Sequence, residues 1–176
     1  KSTLNYFSKL SNMGSTWNGD KNISQKEVSG ILDVSNISDD LVFTLKIEKN
    51  SILHGKEENV YICGGIYNFH SHPAEAYVNN NVKVGWPSAQ DYVGFLMAHN
   101  KYGTLVHFVV TLEGLYIISL SKEWIETKRK ITKKMFEFVR TNYNFDSRND
   151  LGEDLVDQDN PNENRKIISY VKIINN

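Results

Sequence analysis

Val60-Tyr61-Ile62-Cys63-Gly64-Gly65-Ile66-Tyr67-Asn68-Phe69-His70-Ser71-His72-Pro73 is the stretch on which the reading of this chain turns. Its β-branched and aromatic residues predict a strand over Val60–Phe69, with Gly64-Gly65 marking a bulge or a close backbone approach. His70 and His72 stand at i and i+2 at the end of that strand. Side chains alternate along a strand, so both imidazoles point to one side and can share a metal ion. Pro73 stops the strand directly afterwards and leaves the pair at the rim of a sheet.

Downstream, Pro73 to Trp86 has three consecutive asparagines and no apolar periodicity, which predicts an exposed loop. Pro87-Ser88-Ala89-Gln90-Asp91 then opens a helix to Asn100, with Tyr92, Val93, Leu96 and Met97 as its apolar stripe. Asp91 falls in the first turn and offers a third ligand. Two histidines and a carboxylate leave a fourth zinc position open, the arrangement of catalytic rather than structural zinc. Metal-assisted amide hydrolysis is the implied reaction, and it needs a base for the attacking water and a donor for the oxyanion.

Periodicity supplies the remaining elements. Leu4, Phe7 and Leu10 predict a short helix over 3–12, followed by a loop over 14–22. Ser24 and Glu27 have capping-box spacing ahead of a first strand through Val28, Ile31, Leu32 and Val34. Residues 41–48 read as a second strand. Leu105–Thr111 and Leu115–Leu120 read as a hairpin turning at Glu113-Gly114. One long helix is expected over 122–142, an acidic mobile segment over 144–164 and a final strand over Ile167–Ile174. Strands interspersed with helices give an α/β (α+β) domain around one sheet.

Three segments together resemble the JAMM (MPN-plus) motif of zinc metalloproteases: Glu27-Val28-Ser29-Gly30-Ile31-Leu32, His70-Ser71-His72-Pro73 and Ser88-Ala89-Gln90-Asp91. The family includes deubiquitinases, a deneddylase, and prokaryotic and viral relatives. The likeness runs over about residues 3–143. It implies a curved mixed β-sheet flanked by helices, in a catalytic domain over 1–143. It also implies one Zn2+ per chain on His70, His72 and Asp91, with Glu27 as the base and Ser88 as the oxyanion donor. The implied substrate is a ubiquitin or ubiquitin-like conjugate, the leaving amine a lysine side chain, and an activating protein partner is of the kind such domains often use. The chain departs from the family in the fifteen residues Pro73–Pro87 between His72 and Ser88, more than members usually carry.

Each element has a plainer reading. Glu27 can complete a capping box with Ser24, and Ser88 and Asp91 fit any helix N-terminus. His54, His99 and His107 lack partners at ligand spacing, and His107 alternates with apolar neighbours as a strand histidine would. Two rival functions keep the motif: a non-catalytic MPN scaffold, and a viral or other processing peptidase acting on a non-ubiquitin substrate. A link to nucleic-acid metabolism is disfavoured, because a net charge of -1 over 176 residues argues against binding polyanions. Lys122, Lys128, Arg129, Lys130, Lys133, Lys134 and Arg140 are read as a solvated helix face. A lone cysteine, Cys63, excludes a disulfide framework and reads as a small buried hydrophobe. No apolar run suggests a membrane span or a signal peptide, so a cytoplasmic setting is expected, and Asn-, Ile- and Lys-rich usage points to an AT-rich cellular or viral genome.

Overall fold

The computed structural model describes residues 7, 26–35, 44–56, 59–142 and 155–174. These contain strands β1 (Val28–Ser35), β2 (Thr44–Ile47), β3 (Leu53–His54), β4 (Tyr67–Ser71), β5 (Val106–Val110), β6 (Gly114–Leu120) and β7 (Ile168–Ile174). Four helices accompany them: α1 (Ala74–Asn79), α2 (Ala89–Tyr102), α3 (Lys122–Thr127) and α4 (Lys133–Asn142). The seven strands form one mixed sheet in the order β2-β1-β4-β5-β6-β7, with β3 pairing the start of β1. β4 and β5 are the central, nearly fully buried strands, and they run parallel, whereas the other described pairs are antiparallel. A tight turn cannot join parallel strands, so residues 72–105 cross over the sheet and carry α1 and α2 with them.

Alternation gives the sheet two different faces. Phe69, Phe108, Val110, Val28 and Leu32 point to one side, where the Phe7 ring packs tilted against Phe69 with centroids 5.2 Å apart. Val109, Tyr116 and Ile118 point to the other, under Phe95 and Leu96 of α2, Trp124 of α3, and Met135 and Val139 of α4. Each of these large side chains contributes roughly 1.5–3 kcal/mol by leaving water. Asn68, His70 and His107 share this second face, which makes it a polar floor at one end and an apolar core at the other.

The structure departs from the sequence reading at several points, each with a local cause. Strand structure begins at Tyr67, not Val60, because side chains take the earlier backbone: Ser29 Oγ donates to Tyr61 O and Asn68 Nδ2 to Cys63 O. The stretch from Pro73 to Trp86 is no simple exposed loop, for it holds α1 and buries Tyr77. The single helix over 122–142 is two. Lys128 caps α3 in the left-handed conformation, and the Asn100 amide bonds both the N–H and the carbonyl of Ile131, as a strand partner would. The Glu27 backbone pairs with Gly55 and Lys56 just ahead of β1, and the capping-box partner Ser24 lies outside the described residues.

The helix over 3–12, apart from Phe7, and the loop over 14–22 also lie outside them, as do residues 41–43 of the second strand and 144–154 of the acidic segment. Its described remainder, 155–164, packs onto the domain through its first residues. Leu155 is buried in the core, and the buried Asp157 accepts from Arg129 and from Asn160 Nδ2. β7 follows and joins the same sheet along β6.

Burial opposes the charge on Asp157, but Arg129 and Asn160 outweigh it and hold the carboxyl below the usual range. A lowered folded-state value means stability that is present above the unfolded value of about 3.9 and lost as pH falls through the folded one. Asp157→Asn should therefore cost about 1–2 kcal/mol at neutral pH, discounted for the water around Arg129. Urea unfolding at a series of pH values should show parent and variant converging on acidification.

Candidate metal centre

The site forms where β4 ends and α2 begins. β1 and β4 pair with Ser29 opposite His70, so Ser29 and His70 face the same side, and the register continued past the strand end sets Glu27 opposite His72. His72 N–H donates to Val110 O, which keeps the backbone in line beyond β4 and turns the second imidazole beside the first. Ser88 caps α2: its Oγ accepts the Asp91 N–H at 3.3 Å, and Asp91 Oδ2 accepts the Ser88 N–H at 2.6 Å. This is the helix N-terminus that the plainer reading foresaw. A carboxylate has two oxygens, however, and Asp91 also faces both histidines.

His70 Nε2 lies 3.1 Å from Asp91 Oδ1, His72 Nε2 lies 3.5 Å from Oδ2, and the two Nε2 atoms are 2.9 Å apart. A tetrahedral ion with bonds near 2.0–2.1 Å has ligand-to-ligand edges of about 3.3 Å. The donor set and spacing therefore fit a metal ion, and among the described residues this is the group of histidine, cysteine and acidic side chains that does. Burial works against the charge on His72, yet Asp91, aided by Glu27 and the Gly85 carbonyl, pushes its pKa up to about 9. Asp91, although buried, is held well below the usual carboxylate range by His70 and His72.

Glu27 and Ser88 line the same cavity as the triad, a space of about 810 Å³ whose walls include Tyr61, Trp86 and Met97. Glu27 is 7% exposed. All five residues singled out from the sequence therefore meet at one cavity. Cys63 is buried off the strand, donates its thiol to Ser51 O, and has its pKa pushed up by burial. Nothing there activates a thiolate nucleophile.

Further polar side chains surround the group, among them His107, which stands on a strand as the sequence reading expected but with partners that reading did not find. His107 Nε2 lies 2.7 Å from His70 Nδ1, and His107 Nδ1 lies 2.6 Å from Asn68 Oδ1. Burial, and then the neighbouring His70, push His107 well below the usual histidine range. His72 Nδ1–H donates to Gly85 O at 2.6 Å, while Gly85 N–H donates to Glu113 Oε1 at 2.7 Å. Tyr77 and Tyr116 also donate to Glu113, and with Gly85 N–H they keep its carboxyl low against the cost of burial. Tyr77 and Glu113 thereby fasten the 73–87 segment to the β5–β6 turn. The one signal in the sequence was polarity: Asn68 and His107 interrupt otherwise apolar strands.

No family model matches the chain, and no solved structure matches it. A stretch of 72 residues, 41% of the chain, is 33% identical to the uncharacterized protein 3R of Frog virus 3 (isolate Goorha). That stretch spans 16% of the viral protein. Among the described residues no helix is long and apolar enough to cross a membrane.

A Cβ on Gly85 would collide with the Tyr77 hydroxyl and crowd its ring carbon at 2.5 Å. Tyr77 cannot give way without leaving Glu113. Gly85→Ala should therefore lower stability by about 1–3 kcal/mol, read as a fall in the urea midpoint at unchanged slope.

Proposed function

We propose that the chain is a zinc-dependent metallopeptidase or isopeptidase of the JAMM (MPN-plus) type. The carrying observation is the convergence of His70, His72 and Asp91 on one point of a cavity that Glu27 and Ser88 also line. The order of elements supports it: a Glu ahead of β1, the His pair at the end of β4, and Ser-x-x-Asp opening α2. An N,N,O donor set suits zinc, and bound zinc would polarise a carbonyl and acidify a water.

The chain's own residues carry the rest of the reaction. Glu27 takes the proton of the attacking water and returns it to the leaving amine. Ser88 spends its oxygen as an acceptor in the helix cap, which leaves its hydroxyl proton to donate to the oxyanion of the tetrahedral intermediate. His72 and His70 are each tied through their outer nitrogen, so the ligating edges stay presented to the cavity. The substrate class is a protein amide, foremost a ubiquitin or ubiquitin-like conjugate, and the setting cytoplasmic.

A second reading keeps this chemistry and changes the substrate to a viral or other processing target. The likeness to a viral protein favours it, as does α1, which stands in the segment beside the triad and contributes Tyr77 and Ala76 to the cavity wall.

Elemental analysis of the purified protein should find about one zinc per chain, lost in His72→Ala. Glu27→Gln should keep the zinc and lose about 10²–10⁴-fold in turnover of whichever conjugate or viral substrate the parent cleaves. A folded, zinc-resupplied parent that holds no metal would sink the assignment.

A further inference from the structure

His107 is neither a ligand nor a base in the chemistry above, yet it is 0% exposed and hydrogen-bonded on both ring nitrogens. It sits on β5 directly across the parallel ladder from Asn68, on the same face as His70. Its ring lies beside that of His70 and nearly parallel to it, with centroids 4.9 Å apart and an interplanar angle of 16°, and the Phe95 ring of α2 is centred 6.2 Å away. A polar ring this deep would be a liability in a core unless its partners were fixed.

The partners are fixed from one end. The carbonyl of Cys63 can only accept, so the amide group of Asn68 facing it at 2.5 Å is Nδ2, and Oδ1 points to His107. Oδ1 can only accept as well, so His107 Nδ1 carries a hydrogen. A neutral imidazole has one N–H, so His107 Nε2 is a lone pair, and the atom facing it at 2.7 Å, His70 Nδ1, must be the donor. With its proton placed on Nδ1, His70 presents Nε2 to Asp91 and His72 as the lone pair a metal requires.

We propose that His107 is the positioning residue of this centre: with Asn68 it forms a buried relay from the Cys63 carbonyl that sets the tautomer and ring plane of His70. The inference rests on the metal-centre reading for its purpose, but not for its geometry. Outer partners of this kind typically govern metal affinity by 10–100-fold. Here the partner is a neutral imidazole, not a carboxylate. It directs the ligand without adding a second negative charge beside Asp91, so the centre keeps the low charge count of two neutral ligands and one anion.

Long-range ¹H–¹⁵N spectra of the histidine rings test the relay in metal-free and zinc-loaded protein alike. The expected result is a proton on Nδ1 of both His107 and His70, with His107 Nε2 bare. A proton on His107 Nε2, or a bare His70 Nδ1, would overturn the proposal. In zinc competition titrations, His107→Leu should weaken binding 10–100-fold. His107→Gln, whose amide can both accept from His70 and donate to Asn68, should stay within a few-fold of the parent. Equal affinity in all three proteins would overturn the proposal too. Should His107→Leu fail to fold, the ring spectra of the parent decide alone. A parent that binds no zinc but shows the expected tautomers would refute the metal reading and leave the relay standing.

Discussion

The carboxylate of Asp91 is asked to satisfy two demands at once, and the architecture follows from that. Oδ2 accepts the Ser88 N–H that starts α2, an interaction of the kind worth about 0.5–2 kcal/mol to a helix. The same side chain faces His70 and His72 across the gap between helix and sheet. The helix cannot shift along the sheet without breaking its own cap or moving a ligand. Its far end is fixed as well, where Gly103 takes the left-handed conformation at φ 75° and returns its N–H to His99 O. α2 is thus a rod pinned at both ends, with Phe95 and Leu96 buried between them.

Placing polar side chains on a buried sheet face would be costly if any were left unmatched. Asn68, His70 and His107 each have a partner for the atoms that face inward, and the partners belong to different elements. His72 is matched from outside the sheet, through the Gly85 carbonyl and so through Glu113 on the β5–β6 turn. The long segment between His72 and Ser88 therefore has a second role besides lining a cavity. It is the outer wall of the centre, and its anchor is a carboxylate that three donors converge on.

Where the sequence was legible, local periodicity decided the structure. The β5–β6 hairpin turns at Glu113-Gly114, and α2, β1 and β7 fall close to the positions that alternation and capping residues indicate. It was illegible where a distant side chain overrides the local pattern. Six residues of α1 have little helical signal, and what holds them is Tyr77 on Glu113, 36 positions away. The break between α3 and α4 depends on Asn100, 31 positions from the Ile131 it bonds. The same divide runs through the site. Glu27, His70, His72, Ser88 and Asp91 stand in short recognisable segments, whereas pairing His107 with Asn68 requires knowing that β4 and β5 are parallel neighbours in that register.

That parallel pair also has a kinetic side. β4 can meet β5 only after the whole 72–105 crossover has been laid down, and chain closure over such a span costs entropy before any contact rewards it. The residues that could hold a metal straddle the crossover, with His70 and His72 at its start and Asp91 midway, and their neighbour His107 stands just past its far end. Binding of a metal there would consequently be among the last events of assembly. An ion held there would strengthen contacts formed late, and such contacts slow unfolding while leaving the folding rate nearly unchanged. The centre would then act as a latch on the lifetime of the native state, closing only on a chain that has already found its topology.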